Sequence, residues 1–249
     1  MTKYTINKVF EKAFHSNIWK IEVDSKQALI AIETRDLGST IASFHIFNFQ
    51  GEPIMTPCIA ESKEWTLDSI QNAKLILKRV GEHTPIQEGI KIIDIYTNKE
   101  IFQSYEYILL DVFCEYIHAR HRSILTGESY LIAIKSGEIK IAKNLNLEIC
   151  LNKIQYPVTY PYTPSFLMEE QITGPLWLCK LEEQYLWCYH QENQQEFNLV
   201  LALSNLNQLL AKQVVLIAMD KMIPQPYFKI ENQVFLMSFN KREIISYLV

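Results

Sequence analysis

Five short hairpins, each containing a glutamate, recur along this chain and constrain its fold more than any other feature. In each hairpin an alternating apolar strand leads through a short polar turn to the glutamate and then to further apolar residues. The glutamates are Glu52, Glu100, Glu138, Glu196 and Glu243. They lie 38 to 58 residues apart, and the mean of about 48 matches one four-stranded propeller blade. The repeat therefore predicts an all-β, β-propeller-like array of about five four-stranded antiparallel blades.

The segments between these hairpins also have the two-residue period of strands. Residues 19–24 alternate apolar and polar side chains, and residues 28–33 have the pattern of a hairpin partner. The 13 tyrosines and 12 phenylalanines favour strands, where aromatic rings pack on a pleated surface. We expect a single propeller-like domain over residues 1–249, with an N-terminal strand completing the last blade. A β-sandwich or a pair of twisted sheets is the alternative architecture.

Three segments depart from the strand pattern. Ile6, Phe10 and Phe14 recur every four residues, which predicts a short amphipathic helix. Residues 204–212 have leucines at helical spacing after Ser204, a residue type that caps helices. Residues 155–175 contain four prolines, which remove hydrogen-bond donors from a sheet, so we expect a long connection there rather than a strand.

Two of the hairpins resemble the repeats of quinoprotein-dehydrogenase and WD-type propellers. The matching segments are residues 92–100 and 131–138. More narrowly, residues 18–24, 223–228 and 235–248 are similar to those of a bacterial domain-of-unknown-function family of about this length. The resemblance implies a propeller-like fold and no established activity. The chain has no adjacent cysteine pair, so no quinone is carried over, and we expect no cofactor.

Composition argues against several classes of partner. The formal net charge of −4 provides no basic footprint for nucleic acid. No run of about 18 apolar residues is present, so we expect no membrane span. The first residues lack the apolar core of a signal peptide, which favours a cytoplasmic protein. The odd, scattered set of cysteines predicts reduced and mostly buried thiols. These cysteines are Cys58, Cys114, Cys150, Cys179 and Cys188.

The densest polar cluster consists of His118, Arg120, His121 and Arg122. In a strand, His118, Arg120 and Arg122 would share one face, with His121 on the other. Guanidinium groups on one face suit a phosphate or carboxylate ligand. The competing interpretation is an exposed strand edge whose charges prevent pairing with other chains. We favour the edge and keep the cluster as a candidate binding site.

The proline-rich segment supplies the second candidate binding site. It contains Tyr156, Tyr160, Tyr162 and Phe166. Tyrosines are effective contact residues, and a loop stiffened by proline binds with little loss of entropy. The alternative is that the segment only connects two sheets and that its rings pack into the core. We favour this alternative over the contact role.

No motif in the chain points to catalysis. A glycine-flanked serine, a phosphate loop and a dinucleotide fingerprint are all missing. Cys179, Cys188 and His190 lack the spacing of a metal knuckle, which favours buried thiols and predicts no metal site.

We therefore expect a non-catalytic binding or scaffold protein that uses a propeller face to bind a protein or small molecule. The alternative is an enzyme or small-ligand receptor in a central channel. Such a site would need convergent polar groups, for which the candidates are Asp24, Asp94, Asp111, Arg120 and His121.

Overall fold

A computed structural model describes residues 5–81, 87–124, 127–142 and 147–249. Strands and short turns make up this part of the chain, together with one 3₁₀ turn at Ser165–Leu167. The strands are β1 (Asn7–Ala13), β2 (Asn17–Asp24), β3 (Leu29–Arg35), β4 (Ala42–Asn48), β5 (Cys58–Ile59), β6 (Trp65–Gln71), β7 (Lys74–Val80), β8 (Gln87–Asp94), β9 (Lys99–Ser104), β10 (Tyr107–Val112), β11 (Tyr116–His121), β12 (Tyr130–Ala133), β13 (Ile139–Ile141), β14 (Ile154–Gln155), β15 (Val158–Tyr160), β16 (Thr173–Lys180), β17 (Tyr185–Asn193), β18 (Glu196–Ser204), β19 (Leu209–Met219), β20 (Tyr227–Ile230), β21 (Gln233–Met237) and β22 (Glu243–Leu248).

The strands form five antiparallel sheets, numbered here along the chain. Sheet I has the order β2-β3-β4-β5, sheet II β6-β7-β8-β9 and sheet III β10-β11-β12-β13. Sheet IV has the order β15-β16-β17-β18-β19, and sheet V β14-β20-β21-β22-β1. The predicted all-β fold with about five antiparallel sheets is confirmed, with a fifth strand in sheets IV and V.

The sheets fall into two compact units. The three-sheet unit, Phe14–Asn152, contains sheets I to III. The two-sheet unit combines Met1–Ala13 with Lys153–Val249 and contains sheets IV and V. The single domain over residues 1–249 stays a prediction.

The N-terminal strand completes the last sheet, as predicted. β1 pairs with β22 from Asn7 opposite Leu248 to Ala13 opposite Glu243. The helix expected around Phe10 is wrong, because a spacing of four residues is two strand periods as well as about one helical turn. Phe10 lies buried near the ring of Phe235, which provides the apolar contact that its spacing indicated.

The second expected helix is also wrong. β18 ends at Ser204, and β19 begins at Leu209. Between them the Asn205 side-chain oxygen accepts hydrogen bonds from the backbone N–H groups of Asn207 and Gln208, at 2.8 and 2.9 Å. This local Asx turn competes with a helical start and closes a hairpin instead.

The repeated glutamates share one structural position. Counted from β2, β6, β10, β15 and β14, the fourth strands of the five sheets are β5, β9, β13, β18 and β22. Each glutamate lies in the connection that leads into this fourth strand or at the start of the strand. In sheet I, for example, Asn48 Nδ2 donates to Glu52 Oε2 at 2.7 Å. The sequence repeat therefore marks the same turn in all five sheets.

Within each unit, consecutive sheets pack face to face through alternating side chains. In β7, Leu75 and Leu77 face the core shared with sheet I, whereas Ile76 faces the core shared with sheet III. In the two-sheet unit, β17 directs Cys188 toward the core that sheets IV and V share. Its neighbour Trp187 faces the other side, where Leu167 of the 3₁₀ turn covers it.

A buried carboxylate links sheets I and II. Glu33 of β3 is fully buried and pairs with Arg35, at 2.6 Å between Oε1 and Nε. Its other oxygen accepts hydrogen bonds from the Thr66 hydroxyl at 2.8 Å and the Leu67 N–H at 2.7 Å. Arg35 in turn donates to the carbonyl of Trp65 at 2.8 Å. One charge pair thus aligns β6 against β3.

We expect Glu33→Gln to lower the free energy of unfolding by about 2–3 kcal/mol, because it leaves the largely buried Arg35 without its counter-charge. Urea unfolding followed by tryptophan fluorescence measures this. The control is Glu138→Gln, whose ion pair with Lys140 is exposed and contributes less than about 0.5 kcal/mol. Equal stability of the two variants would contradict the linking role of Glu33.

Phe10→Ala tests the contribution of the N-terminal strand. Removing the buried ring leaves a cavity beside Phe235, and we expect a loss of about 3 kcal/mol in the same unfolding measurement. Glu11→Ala changes an exposed neighbour on the same strand and should cost less than about 0.5 kcal/mol. A Phe10 variant as stable as the Glu11 variant would show that the buried Phe10 ring does not stabilise sheet V.

Candidate functional site

A polar groove in the three-sheet unit is formed by the turns at one end of its sheets. One part, of about 620 Å³, is lined by Asn72 and Lys74 of sheet II, Glu115 and Tyr116 of sheet III, and Lys135 of the β12–β13 turn. A second part, of about 420 Å³, shares Asn72, Glu115 and Tyr116 and extends to Lys26, Cys114 and Cys150. We call the two parts together the turn groove. Its volume is in the range of small-ligand sites.

Tight hairpin turns shape the turn groove. Asn72 and Ala73 have φ angles of 50° and 59°, the left-handed pair that a two-residue hairpin loop requires. This conformation lets Asn72 Nδ2 donate to the carbonyl of Cys114 at 2.5 Å, which joins the turns of sheets II and III. The groove floor is therefore held by a hydrogen bond between neighbouring sheets.

Asp24 and Asp94, two of the candidates for a channel site, instead stabilise turns. Asp24 Oδ1 accepts from the N–H groups of Lys26 and Gln27, both at 3.1 Å. Asp94 does the same for its own turn, and Lys74 lies 2.9 Å from its other oxygen. The Lys74 hydrogen bond, supported by Thr97, lowers the pKa of Asp94 to about 2.

The five channel candidates do not form one constellation. In the part of the chain that the structure describes, no hydrogen bond or ion pair connects any two of Asp24, Asp94, Asp111, Arg120 and His121. The same residue ranges contain no group of three His, Cys, Asp or Glu side chains placed to hold a metal ion.

The prediction of five reduced thiols is wrong for two cysteines. Cys114, in the β10–β11 turn, forms a disulfide with Cys150, 36 residues later. Sequence spacing alone did not identify this pair, because the sheet III turn brings together residues that are distant in the chain. The other predicted thiols are confirmed as free: Cys179 and Cys188 are buried and Cys58 is half-buried.

The histidine and arginine cluster occupies β11 and the turn after it. His118 Nδ1 lies 3.5 Å from the carboxylate of Asp111, and the His121 ring packs edge-on against Tyr107. Arg122 donates to the carbonyl of Tyr105 at 3.2 Å. Arg120 is exposed, and its side chain makes no hydrogen bond or ion pair with the described residues. His118 and Arg120 share a face as predicted, and an anion-binding role stays a prediction.

The proline-rich segment contains a short strand, so the expected connection without strands is wrong. β15 pairs with β16 from Val158 opposite Leu178 to Tyr160 opposite Leu176. Three prolines flank it without interrupting the three paired residues. Phe166 is half-buried, with its ring 5.9 Å from that of Trp187.

Four side chains of this segment remain at the surface. Tyr156 is 57% exposed, Val158 64%, Tyr160 39% and Tyr162 73%. We call these four residues the tyrosine edge, since β15 is the first strand of sheet IV. The alternative in which the tyrosines pack into the core is therefore wrong for Tyr156, Tyr160 and Tyr162.

Sequence reasoning missed a set of buried polar atoms in the two-sheet unit. His190 is fully buried, and its Nε2 accepts the N–H of Ile223 at 3.1 Å, while Nδ1 has no partner. Burial lowers the pKa of His190 to about 4. The hydroxyl of Tyr227 is also buried without a hydrogen-bond partner, and burial raises the pKa of Tyr227 and of Tyr189. Only the cluster Cys188-Tyr189-His190 hinted at this in the sequence.

We expect His190 to make stability depend on pH. Its folded pKa lies below the unfolded value of about 6.5, so the unfolded chain gains a proton first as the pH falls. The stabilisation that comes from neutral His190 is nearly complete at pH 7 and is smaller by about 2–3 kcal/mol at pH 4.5. His190→Gln, whose side chain can accept the Ile223 N–H and does not titrate, should remove that part of the decrease.

Urea unfolding at pH 7 and pH 4.5 measures the difference. The control is His15→Gln, which changes an exposed histidine and should leave the wild-type decrease in place. If His190→Gln loses as much stability at pH 4.5 as the wild type, His190 is not the group responsible.

Comparisons with known proteins address the fold. The chain matches no protein-family model and no curated protein sequence. Among solved structures it is similar to the β-propeller domain of the Trilobed protease from Pyrococcus furiosus, with 9% identity and a TM-score of 0.35 over 90% of this chain and 63% of that chain. It is also similar to TolB from Acinetobacter baumannii, with 10% identity and a TM-score of 0.33 over 94% and 55%.

A third similar structure is the oligogalacturonate lyase from Vibrio parahaemolyticus, with 7% identity and a TM-score of 0.33 over 98% and 93%. The chain spans less than two thirds of the first two proteins. We draw no functional argument from similarities of this size. Membership of the bacterial family suggested by the sequence stays a prediction. In the ranges that the structure describes, no helix is long and apolar enough to cross a membrane.

Proposed function

We propose that this chain is a non-catalytic binding protein whose contact surface is the tyrosine edge, and that its partner is an extended, uncharged peptide segment. The observation that carries the proposal is the exposure of four large side chains in and beside β15, the edge strand of sheet IV: Val158 and Tyr160 lie in the strand, Tyr156 precedes it and Tyr162 follows it. Exposed aromatic side chains of this kind are the common anchors of protein interfaces.

The backbone of β15 supports a partner that adds a strand. β15 pairs with β16 on one side and has no strand on its other side among the described residues. An edge strand presents unpaired N–H and C=O groups, onto which an extended peptide can form a further antiparallel or parallel strand. Backbone hydrogen bonds would supply affinity, and alternate side chains would supply specificity.

The rings are held in place before a partner binds. Tyr160 packs edge-on against Trp187, with ring centroids 5.4 Å apart. Trp187 is itself buried, and its indole N–H donates to the Ser204 hydroxyl at 2.8 Å. Tyr162 packs edge-on against Tyr160 at 6.2 Å. A surface that is already ordered loses little conformational entropy on binding.

The charge of the segment indicates the chemistry of the partner. Residues 154–168 contain no Lys, Arg, Asp or Glu. A highly charged peptide would lose hydration there without gaining an ion pair, which favours a partner rich in apolar and neutral polar side chains. The cluster of His118, Arg120, His121 and Arg122 is a separate contact that we propose, for an anionic ligand other than this peptide.

A peptide-display selection tests the proposal. A library of random dodecapeptides is selected on the wild-type protein, and the selected peptides are measured against Tyr162→Ala and Tyr160→Ala. We expect each substitution to weaken binding about tenfold or more, which corresponds to at least about 1.4 kcal/mol. Hydrogen exchange should show protection of the Val158–Tyr160 amides in the complex.

Tyr96→Ala is the matched control, since Tyr96 is a 64% exposed tyrosine of the three-sheet unit. It should leave the affinity unchanged. Selected peptides that bind the Tyr160 and Tyr162 variants as tightly as the wild type, or that protect other amides, would overturn the assignment of the tyrosine edge.

A small-ligand receptor is the second candidate function, and the volume of the turn groove favours it. Lys135 and Glu115 line the groove without an ion pair among the described residues, so each could pair with an opposite charge on a ligand. A thermal-shift screen of small zwitterions tests this function. We expect any stabilisation to disappear in Lys135→Gln, and stabilisation that persists there would exclude the groove.

The compartment that we propose is the cytoplasm. Three of the five cysteines are free, and two of these are buried, as in proteins of a reducing compartment. A cytoplasmic disulfide such as Cys114–Cys150 would be transient or redox-sensing rather than permanent. Trapping of thiols in intact cells, followed by fractionation, tests both statements.

A further inference from the structure

We propose that Cys114 and Cys150 form a reversible thiol–disulfide exchange site, which takes a dithiol as its reductant. Reduction of the site would release the segment of residues 147–152, which we call the strap. Three features of the three-sheet unit carry the proposal: the access to the sulfurs, the charge beside one of them and the small number of other contacts that hold the strap.

The disulfide is accessible from solvent. Cys114 and Cys150 are both half-buried, and both line the 420 Å³ part of the turn groove. Thiol–disulfide exchange requires a thiolate to approach one sulfur of the bond, so a disulfide within the core would be protected. This one lies in the wall of an open groove, in contrast to the buried thiol of Cys188.

The two sulfurs have different electrostatic surroundings. Lys26 Nζ lies 3.5 Å from Cys150 Sγ. An ammonium group at this distance stabilises a thiolate on Cys150. Cys114 instead precedes the exposed Glu115 in the chain, whose negative charge disfavours a thiolate there. Glu148, in the strap, also lines this part of the groove and weakens the effect of Lys26 without removing the contact.

This asymmetry determines which sulfur is attacked. A thiolate of the reductant attacks Cys114 Sγ, the S–S bond breaks, and Cys150 leaves as the thiolate beside Lys26. In the mixed disulfide, the first sulfur of the reductant is bonded to Cys114. The second thiolate of the reductant attacks that first sulfur and releases Cys114 as a thiolate. Two electrons and two protons pass to the protein, so the products are two cysteine thiols and the cyclic disulfide of the reductant.

The strap has few other attachments. The Cys114 N–H donates to the Glu148 carbonyl at 2.7 Å. At its other end, Asn152 accepts the Ser25 N–H at 2.9 Å and donates to the Val23 carbonyl. The strap has no regular secondary structure, and it exposes Ile149 (61%) and Leu151 (77%). Reduction removes its covalent attachment to sheet III, while Asn152 still holds the end near sheet I.

The first test locates the mixed disulfide in the wild-type protein. Oxidised protein is mixed briefly with reduced glutathione, quenched with acid, digested and analysed by mass spectrometry. We expect glutathione on Cys114 in at least about fivefold excess over Cys150, because Cys150 is the better leaving group. Equal amounts, an excess on Cys150, or five free thiols in protein treated with a mild oxidant would overturn the proposal.

The second test measures the effect of Lys26 on the rate of reduction. We expect dithiothreitol to reduce Lys26→Gln about threefold more slowly than the wild type, since the departing thiolate has lost its counter-charge. Lys26→Arg should restore the rate. Lys99→Gln, which removes an exposed lysine of the same unit that lines neither part of the turn groove, is the control and should react at the wild-type rate.

Hydrogen exchange tests the release of the strap. Reduced wild-type protein should exchange the Cys114 amide, which donates to Glu148 of the strap, at least about tenfold faster than oxidised protein, with no change in β17 and β18. An unchanged exchange rate of the Cys114 amide would refute the release of the strap. Equal reduction rates for wild type and Lys26→Gln would refute the role of Lys26. If Lys26→Gln does not fold, the glutathione test on the wild-type protein still identifies the attacked sulfur.

Discussion

The structure depends on the need to bury both faces of its sheets. In β3 and β18 runs of consecutive residues are buried, so neither face of these strands can lie against solvent. A single four-stranded sheet cannot provide that burial, and each sheet therefore packs against a neighbour within its unit. The Glu33–Arg35 pair follows from the same constraint. A carboxylate between two sheets must be fully hydrogen-bonded, and its partners then determine how β6 lies against β3.

Many strand side chains are buried between sheets. The side chains that could bind a ligand or react therefore lie at turns and on edge strands. Many of the polar side chains near the turn groove already stabilise turns, as Asp24 and Asp94 do. Among the described residues that line the groove, Lys135 and Glu115 form no ion pair, and Lys26 lies beside the disulfide. On the two-sheet unit the tyrosine edge is exposed because β15 is a short outer strand with one pairing partner. The site candidates thus lie at turns and sheet edges, where the side chains are only partly enclosed by packing.

The local patterns that predicted the fold correctly and those that failed differ in one respect. The glutamate hairpins were informative because a turn and its flanking strands are adjacent in sequence. The spacing of Phe10 was ambiguous, since a residue repeated every four positions fits a strand as well as a helix. The prolines around β15 suggested a connection, yet three residues between prolines are enough to pair at an outer edge. The Asx turn at Asn205 outweighed the helical spacing of the leucines after it.

The sequence by itself determined the all-β class, the number of sheets and the closing role of the N-terminal strand. Alternation, turn chemistry and repeat length are local properties that a chain carries in its order of residues. Only the tertiary structure decided that Cys114 meets Cys150, that Lys26 lies beside that bond, and that His190 is buried without a partner for Nδ1. The two contacts join residues far apart in sequence, and the burial of His190 depends on elements that pack around it. All three follow from the packing of whole sheets, which no local pattern encodes.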